Sequence, residues 1–396
     1  MKLWLLLICL AVAAPMYAQD KPAKKDADNE EPIDPWADFE VGHATDGAYL
    51  PLSLGRDRTG LGLRSRMGFG WDSNVFKEDR HEDNAFFIDG AAYGYIGHDF
   101  GAFALGARGM IAGRLNFGEP DASMWDIKLG GYFKIPYGGG GFGTGISADV
   151  LYQQLQTYEI FGPLTRQTHL RAAGAIARAY VGYKVGGFLI FELGFTGKAT
   201  DFSEEKTIDS PDSWEIGTDF SVWLNFFDVI ALKPWVRFDY EWFRDQLDFR
   251  TDGTLIKPED NLQLLKLDAG VDADINLGFI RATGRVYTRR QDDSAAGLLR
   301  YWEYGVNAAI DFMMVGNVKL SGGTHLWMRE YDKLEDTSEG KATLLEQHGA
   351  FWGEISWNFW EFLDLGARYR YTRRISGIDN GGYATHEVFV FLGVTF

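Results

Sequence analysis

The chain has 396 residues, 46% of them hydrophobic and 15% aromatic, with 48 glycines and a formal charge of −17 at pH 7. That acidity argues against a nucleic-acid partner, whose phosphates call for a basic surface. A single cysteine, Cys9, leaves no disulfide framework.

Lys2 is followed by the apolar run Leu3 to Ala14, LWLLLICLAVAA, too short to span a bilayer as a helix. It reads as a secretory signal peptide over residues 1–18, cut after Ala18, so that the exported part carries no cysteine and no thiol chemistry. From Asp20 to Glu40 eight acids stand against three lysines, with Pro22, Pro32 and Pro35. Residues 19–60 are therefore expected to be an acidic, largely disordered periplasmic arm, too polar to bury much surface.

From Leu61 onward one pattern recurs: about ten or more residues, apolar on one parity and polar or small on the other, as a membrane-crossing strand requires. In the first unit Leu63, Met67, Phe69 and Trp71 oppose Arg64, Arg66, Gly68 and Gly70. Later units alternate more sharply: Trp214, Ile216, Phe220 and Leu224 against Glu215, Asp219 and Asn225, and Leu265, Leu267 and Val271 against Lys266, Asp268 and Asp272. Sixteen such strands fall near 61–73, 85–97, 102–114, 123–135, 142–154, 167–184, 188–200, 213–226, 229–245, 261–277, 279–290, 300–314, 317–331, 343–359, 361–374 and 385–396. Tight connections (Pro136–Gly141, Val185–Gly187, Val315–Gly316) alternate with longer charged ones such as Asp201–Asp212. The expected fold is an all-β, transmembrane antiparallel up-and-down β-barrel over 61–396 with about 16 strands, 14 or 18 being the neighbouring possibilities, in the outer membrane of a Gram-negative bacterium. Phenylalanines (Phe133, Phe142, Phe188, Phe226, Phe312, Phe359, Phe396) mark one rim, and Trp71, Trp125, Tyr152, Trp214, Trp242 and Trp302 the other. Three places resist the pattern: Arg171 and Arg178 have opposite parity, the register around Phe86 to Ile96 is ambiguous, and Pro234 falls inside a strand.

An Arg or Lys on the lipid face at mid-membrane costs about 2–4 kcal/mol, so the charged parity is assigned to the lumen. The basic lumen positions are Arg64, Arg66, Arg281, Arg285, Arg289, Arg368, Arg370 and Arg374; the acidic ones are Glu215, Asp219, Asp239, Glu241, Asp268, Asp272 and Asp274. They read either as a basic wall facing an acidic one, giving a transverse field, or as pairs that merely solvate the wall. Tyr132, Trp223, Trp235, Tyr287, Trp327 and Trp352 share the lumen parity, where ring faces suit stacking on sugars or simply fill space.

Two stretches carry resemblances. The last twelve residues, THEVFVFLGVTF, place Val388, Val390, Leu392, Val394 and Phe396 on one side of a strand. They resemble the C-terminal signal that the barrel-assembly machinery reads on outer-membrane barrels. Phe69 to Phe76, FGWDSNVF, resembles the aromatic-Asp-Ser-Asn-Val-Phe signature of the β-barrel porin type 2 family. That resemblance implies an outer-membrane barrel encoded with exopolysaccharide systems, working beside a periplasmic polysaccharide-export protein and embedded among outer-membrane lipid and lipopolysaccharide. The same Asp72-Ser73-Asn74 is also good turn chemistry.

His325 and His348 fall on adjacent strands with lumen parity, near Ser321 and Glu346, a weak dyad or metal constellation more often structural. No phosphate loop or zinc-type spacing is present. The reading is a non-enzyme without cofactor or metal: a polysaccharide conduit, with a general diffusion porin or a sealed structural barrel as alternatives.

Overall fold

The computed structural model describes residues 59–75, 84–118, 123–137, 141–156, 169–202, 212–226, 229–243, 248–249, 255–256, 263–294, 299–314, 316–335, 343–376 and 382–395. The apolar leader, the acidic arm to residue 58, Phe76 and Phe396 lie outside them. The strands are β1 (Thr59–Asp72), β2 (Ala85–Asp99), β3 (Ala104–Asn116), β4 (Met124–Ile135), β5 (Phe142–Gln156), β6 (His169–Val185), β7 (Leu189–Phe202), β8 (Ser213–Phe226), β9 (Ile230–Phe243), β10 (Asp248–Phe249), β11 (Leu255–Ile256), β12 (Gln263–Asn276), β13 (Ile280–Asp293), β14 (Tyr301–Met313), β15 (Val318–Glu335), β16 (Thr343–Trp360), β17 (Leu363–Ser376) and β18 (Tyr383–Thr395). Sixteen of them form one closed antiparallel barrel in which chain neighbours pair; β10 and β11 make a separate two-stranded hairpin between β9 and β12.

Alternation fixes which way each side chain points. Ile216 is 56% exposed while its neighbour Glu215 is 9% exposed. The same contrast recurs around the ring: Met67, Phe69, Ile111, Leu129, Val150, Phe195, Val286, Phe351 and Val390 are exposed, and Asp89, Arg108, Asp149, Asp268, Glu303 and Arg370 are buried. The charged parity is the concave one, because Arg66 on β1 reaches Glu354 on β16 across two intervening staves. Side chains converge inside a ring and diverge outside it. A polar interior within an apolar outer belt is the arrangement of a barrel whose outer face meets lipid. In β2 the register puts Phe87, Asp89, Tyr93 and Tyr95 inward. Arg178 points inward to Asp219, whereas Arg171, near the start of β6, is exposed and needs no bulge to explain it.

The two rims differ. At one, the connections run Asp99–Ala104, Ile135–Phe142, Val185–Leu189, Phe226–Ile230, Asn276–Ile280, Met313–Val318 and Trp360–Leu363. Left-handed backbone at Gly101, Gly186, Gly278 and Gly316 lets several of these reverse so sharply. Asp99 and Asn276 accept the amides of Gly101 and Gly278 at 2.7 and 3.0 Å. The aromatic girdle departs from the expected split: Trp357 and Trp360 join Phe359 and Phe362 at the short-turn rim, while Trp214 stacks on Trp242 at the other. Pro234 lies near the short-turn rim, and the β8–β9 ladder skips two rungs beside it, between Ser221↔Trp235 and Leu224↔Leu232. A residue without an N–H cannot complete that ladder.

The barrel closes where β1 pairs β18, from Arg64↔Thr395 to Asp72↔Glu387. The FGWDSNVF stretch builds this seam. Thr385 donates its hydroxyl to the Asp72 carboxylate, His386 donates its amide to Ser73 Oγ at 2.8 Å, and Asn74 donates to the Ala384 carbonyl at 3.5 Å. Asp72 also accepts the Asn74 amide at 2.9 Å, so the turn reading of this tripeptide holds as well.

Candidate functional site

The inner wall is the candidate site, and glycine shapes it. At Gly106, Gly270, Gly305 and Gly323 an added Cβ would collide with a ring on the neighbouring strand: Tyr132, Trp235, Tyr287 and Trp352 respectively. Each ring sits on the residue directly opposite in the register. A ring can lie flat there only because the partner has no side chain. Four of the six aromatics assigned to the lumen from the sequence are therefore wall panels rather than posts standing into the bore. Of the other two, Trp327 stacks on His348 at 5.3 Å, and Trp223 lies under the Lys233 ammonium at 4.3 Å.

The charges are matched locally. Arg281, Arg285 and Arg289 on β13 pair with Asp274, Asp272 and Asp268 on β12 at 2.6, 2.7 and 2.9 Å. The expected basic and acidic walls are thus adjoining staves here, and neighbouring pairs replace a field across the ring. Lys266 holds Glu241 at 2.8 Å and Glu215 at 3.4 Å, and Arg237 holds Asp239 at 2.7 Å. Asp219 takes Arg178 at 3.2 Å. Arg66 and Arg368 share Glu354 at 3.2 and 2.8 Å, and Arg374 holds Glu346 at 2.7 Å. Arg370 is buried on the same face. Arg64, half-buried near the short-turn end of β1, is in no ion pair among the described residues.

Several buried charges were missed in the sequence. Arg114 gathers Glu387, Asp89 and Asp72 at 3.1, 3.2 and 3.6 Å and lies 4.0 Å over the Phe87 ring. Arg329 holds Glu303 at 2.9 Å, and Glu303 accepts the Tyr287 hydroxyl at 3.0 Å. Phe87, Phe389 and Phe391 form an apolar cluster inside the barrel, with the Arg66 guanidinium 3.4 Å above Phe391. β3 hid its part because Met110 and Ala112 separate Arg108 from Arg114 and blur the alternation.

The histidine pair expected from the sequence is present. His325 and His348 meet edge to face at 5.6 Å. Ser321 stands opposite Glu354, and Glu346 is engaged by Arg374, Tyr331 and Ser376. Glu346 is thus committed to other side chains in the wall. Among the described residues no group of three or more His, Cys, Asp or Glu is placed to hold a metal.

Val388, Val390 and Leu392 of the terminal strand face outward and are exposed; Val394 is partly so.

No protein-family model matches the chain, and no curated protein matches it. Solved structures do. OmpTdeltaL8, a loop L8 deletion mutant of OmpT, an outer membrane protein of Vibrio cholerae, is 11% identical with a TM-score of 0.45, covering 86% of this chain and 100% of that one. The anion-selective porin from Comamonas acidovorans is 12% identical at TM-score 0.44, covering 85% and 99%. OccAB1 of Acinetobacter baumannii is 8% identical at TM-score 0.44, covering 86% and 97%.

Proposed function

We propose that this barrel sits in an outer membrane, with its short turns in the periplasm, and conducts hydrophilic saccharides through its interior. The observation that carries this is the inner wall itself: Tyr132, Trp235, Tyr287 and Trp352 lie flat on glycines, and the charges between them are paired. A ring lying along the wall offers a face to a sugar without narrowing the bore, and the pairing of charges between β12 and β13 leaves that stretch of wall without strong preference for ions over neutral solutes. The FGWDSNVF resemblance supports export of a polysaccharide, with a periplasmic export protein feeding the barrel. The outward Val388, Val390 and Leu392 support delivery by the barrel-assembly machinery.

The test is transport by the purified barrel in liposomes. Swelling in a neutral oligosaccharide, slowed in Trp235→Ala and Trp352→Ala at unchanged salt conductance, supports the reading. Swelling with small sugars alone, insensitive to those rings, favours a general diffusion porin. Loss of surface polysaccharide on gene deletion separates secretion from uptake.

One observation favours the sealed structural barrel. Toward the longer-loop rim, inward residues such as Asp72, Asn116, Asp126, Ser213, Phe243, Glu346 and Thr385 are buried. A reconstituted barrel that passes neither salt nor sugar would establish that reading.

A further inference from the structure

The cations on the inner wall are not all matched. On β13 and β15 the short-turn half is neutralised: Arg281, Arg285 and Lys319 pair with Asp274, Asp272 and Asp311 at 2.6, 2.7 and 3.1 Å. On the arc from β4 to β9 the same depth carries Lys134, Lys184 and Lys233, all inward and half-buried, and none is in an ion pair among the described residues. In a chain of net charge −17, three successive cations left without acids stand out.

Rings are interleaved with them. Tyr137 lies across Gly143 and Gly182, between the strands of Lys134 and Lys184. Trp223 lies beneath Lys233, the ammonium 4.3 Å from the ring centre. A carboxylate does enter the arc: Glu192 on β7 accepts the Trp223 indole N–H, which holds the ring in place. With strands spaced about 4.8 Å apart, Lys184 and Lys233 root about 14 Å apart along the wall, and Lys134, in line with Tyr180 four residues along β6 from Lys184, roots about 16 Å from Lys184. Flexible lysine stems bridge such gaps and can follow a moving ligand.

We infer that this arc is an entry site for acidic saccharides, with Lys134, Lys184 and Lys233 holding sugar carboxylates and Tyr137 and Trp223 supplying faces for the rings. The inference rests on the saccharide-conduit reading and adds the charge of the cargo and the end at which it is first held. Exchangeable point charges on a stacking surface suit a polymer that must be gripped and then released.

The experiment uses the full chain in a planar bilayer, with hexagalacturonate, maltohexaose or polyphosphate added to one side at a time. Hexagalacturonate is expected to interrupt the current from one side only, with shorter events at high salt. Event duration should fall about tenfold in the triple variant Lys134→Gln/Lys184→Gln/Lys233→Gln and clearly in Trp223→Ala. Unchanged events in the triple variant overturn the site. So do polyphosphate events that last as long and ignore Trp223→Ala, which would make the arc a plain anion sink. Hexagalacturonate without effect while maltohexaose passes overturns the site and leaves the conduit; both without effect overturns both. Because the three lysines hold no structural acid, the variants should keep the wild-type unfolding temperature, which is checked first.

Discussion

Arg108 on β3 and Asp149 on β5 meet across the intervening strand β4 in a two-pronged pair of 2.6 and 3.0 Å. They can do so because Gly130 lies between them in the register, and the Asp149 carboxylate occupies the space its side chain would need. Both charges are buried. Removing one partner strands the other, at a cost of about 3–5 kcal/mol, whereas replacing both with apolar groups is far milder. Arg108→Ala is therefore expected to destabilise the barrel more than the double variant Arg108→Met/Asp149→Leu, and Gly130→Val to resemble Arg108→Ala. Urea unfolding in lipid, followed by tryptophan fluorescence, orders the three.

At the seam, Asp72→Ala removes the acceptor for Thr385 and for the Asn74 amide and takes one acid from Arg114. Leaving buried donors unmet costs about 1–3 kcal/mol. The folded barrel should lose its resistance to detergent at a lower temperature, and Thr385→Val should show part of the same drop. Equal stability of both variants and wild type would mean that the seam is held by its backbone ladder alone.

Val286 and Thr283 on β13 point to opposite faces. Val286 is 60% exposed on the apolar belt, so Val286→Arg should cost about 2–4 kcal/mol or block insertion. Thr283→Arg, on the inner wall, should insert and fold normally. Folding yield into vesicles distinguishes them, and the reverse result would invert the assignment of lipid and lumen faces.

Asp272 anchors Arg285 at 2.7 Å and accepts the Trp235 indole N–H at 3.0 Å. Asp272→Asn keeps an acceptor for the ring but bares the guanidinium. The inner wall gains net positive charge, so the reversal potential in a potassium chloride gradient should move toward that of chloride. A shift toward potassium, or none at low salt, would show that this pair does not face the conducting path.

The barrel was legible because lipid and water impose a period of two on every strand, and one sequence displays that period directly. The inward side of Glu215, Asp268 or Trp235 followed at once. Their partners did not, since which Arg meets which Asp depends on strand stagger. Ser213↔Phe243 and Gln263↔Trp242 are fixed by many small register choices that composition does not reveal. Glycine was noticed as abundance, but its role emerges only when Gly106 and Tyr132 are seen to be opposite one another. Asp72-Ser73-Asn74 was read correctly as turn chemistry, while its second set of partners, Ala384, Thr385 and His386, lay at the other end of the chain.

That distance has a consequence in time. Asp72 and Thr385 are 313 residues apart, so the first strand waits through the making of almost the whole chain before its latch exists. Every hairpin can form beforehand, but a nascent or truncated product lacking the final strand stays an open sheet with two raw margins. Whatever machinery inserts it must shelter the opening stave until the closing one arrives.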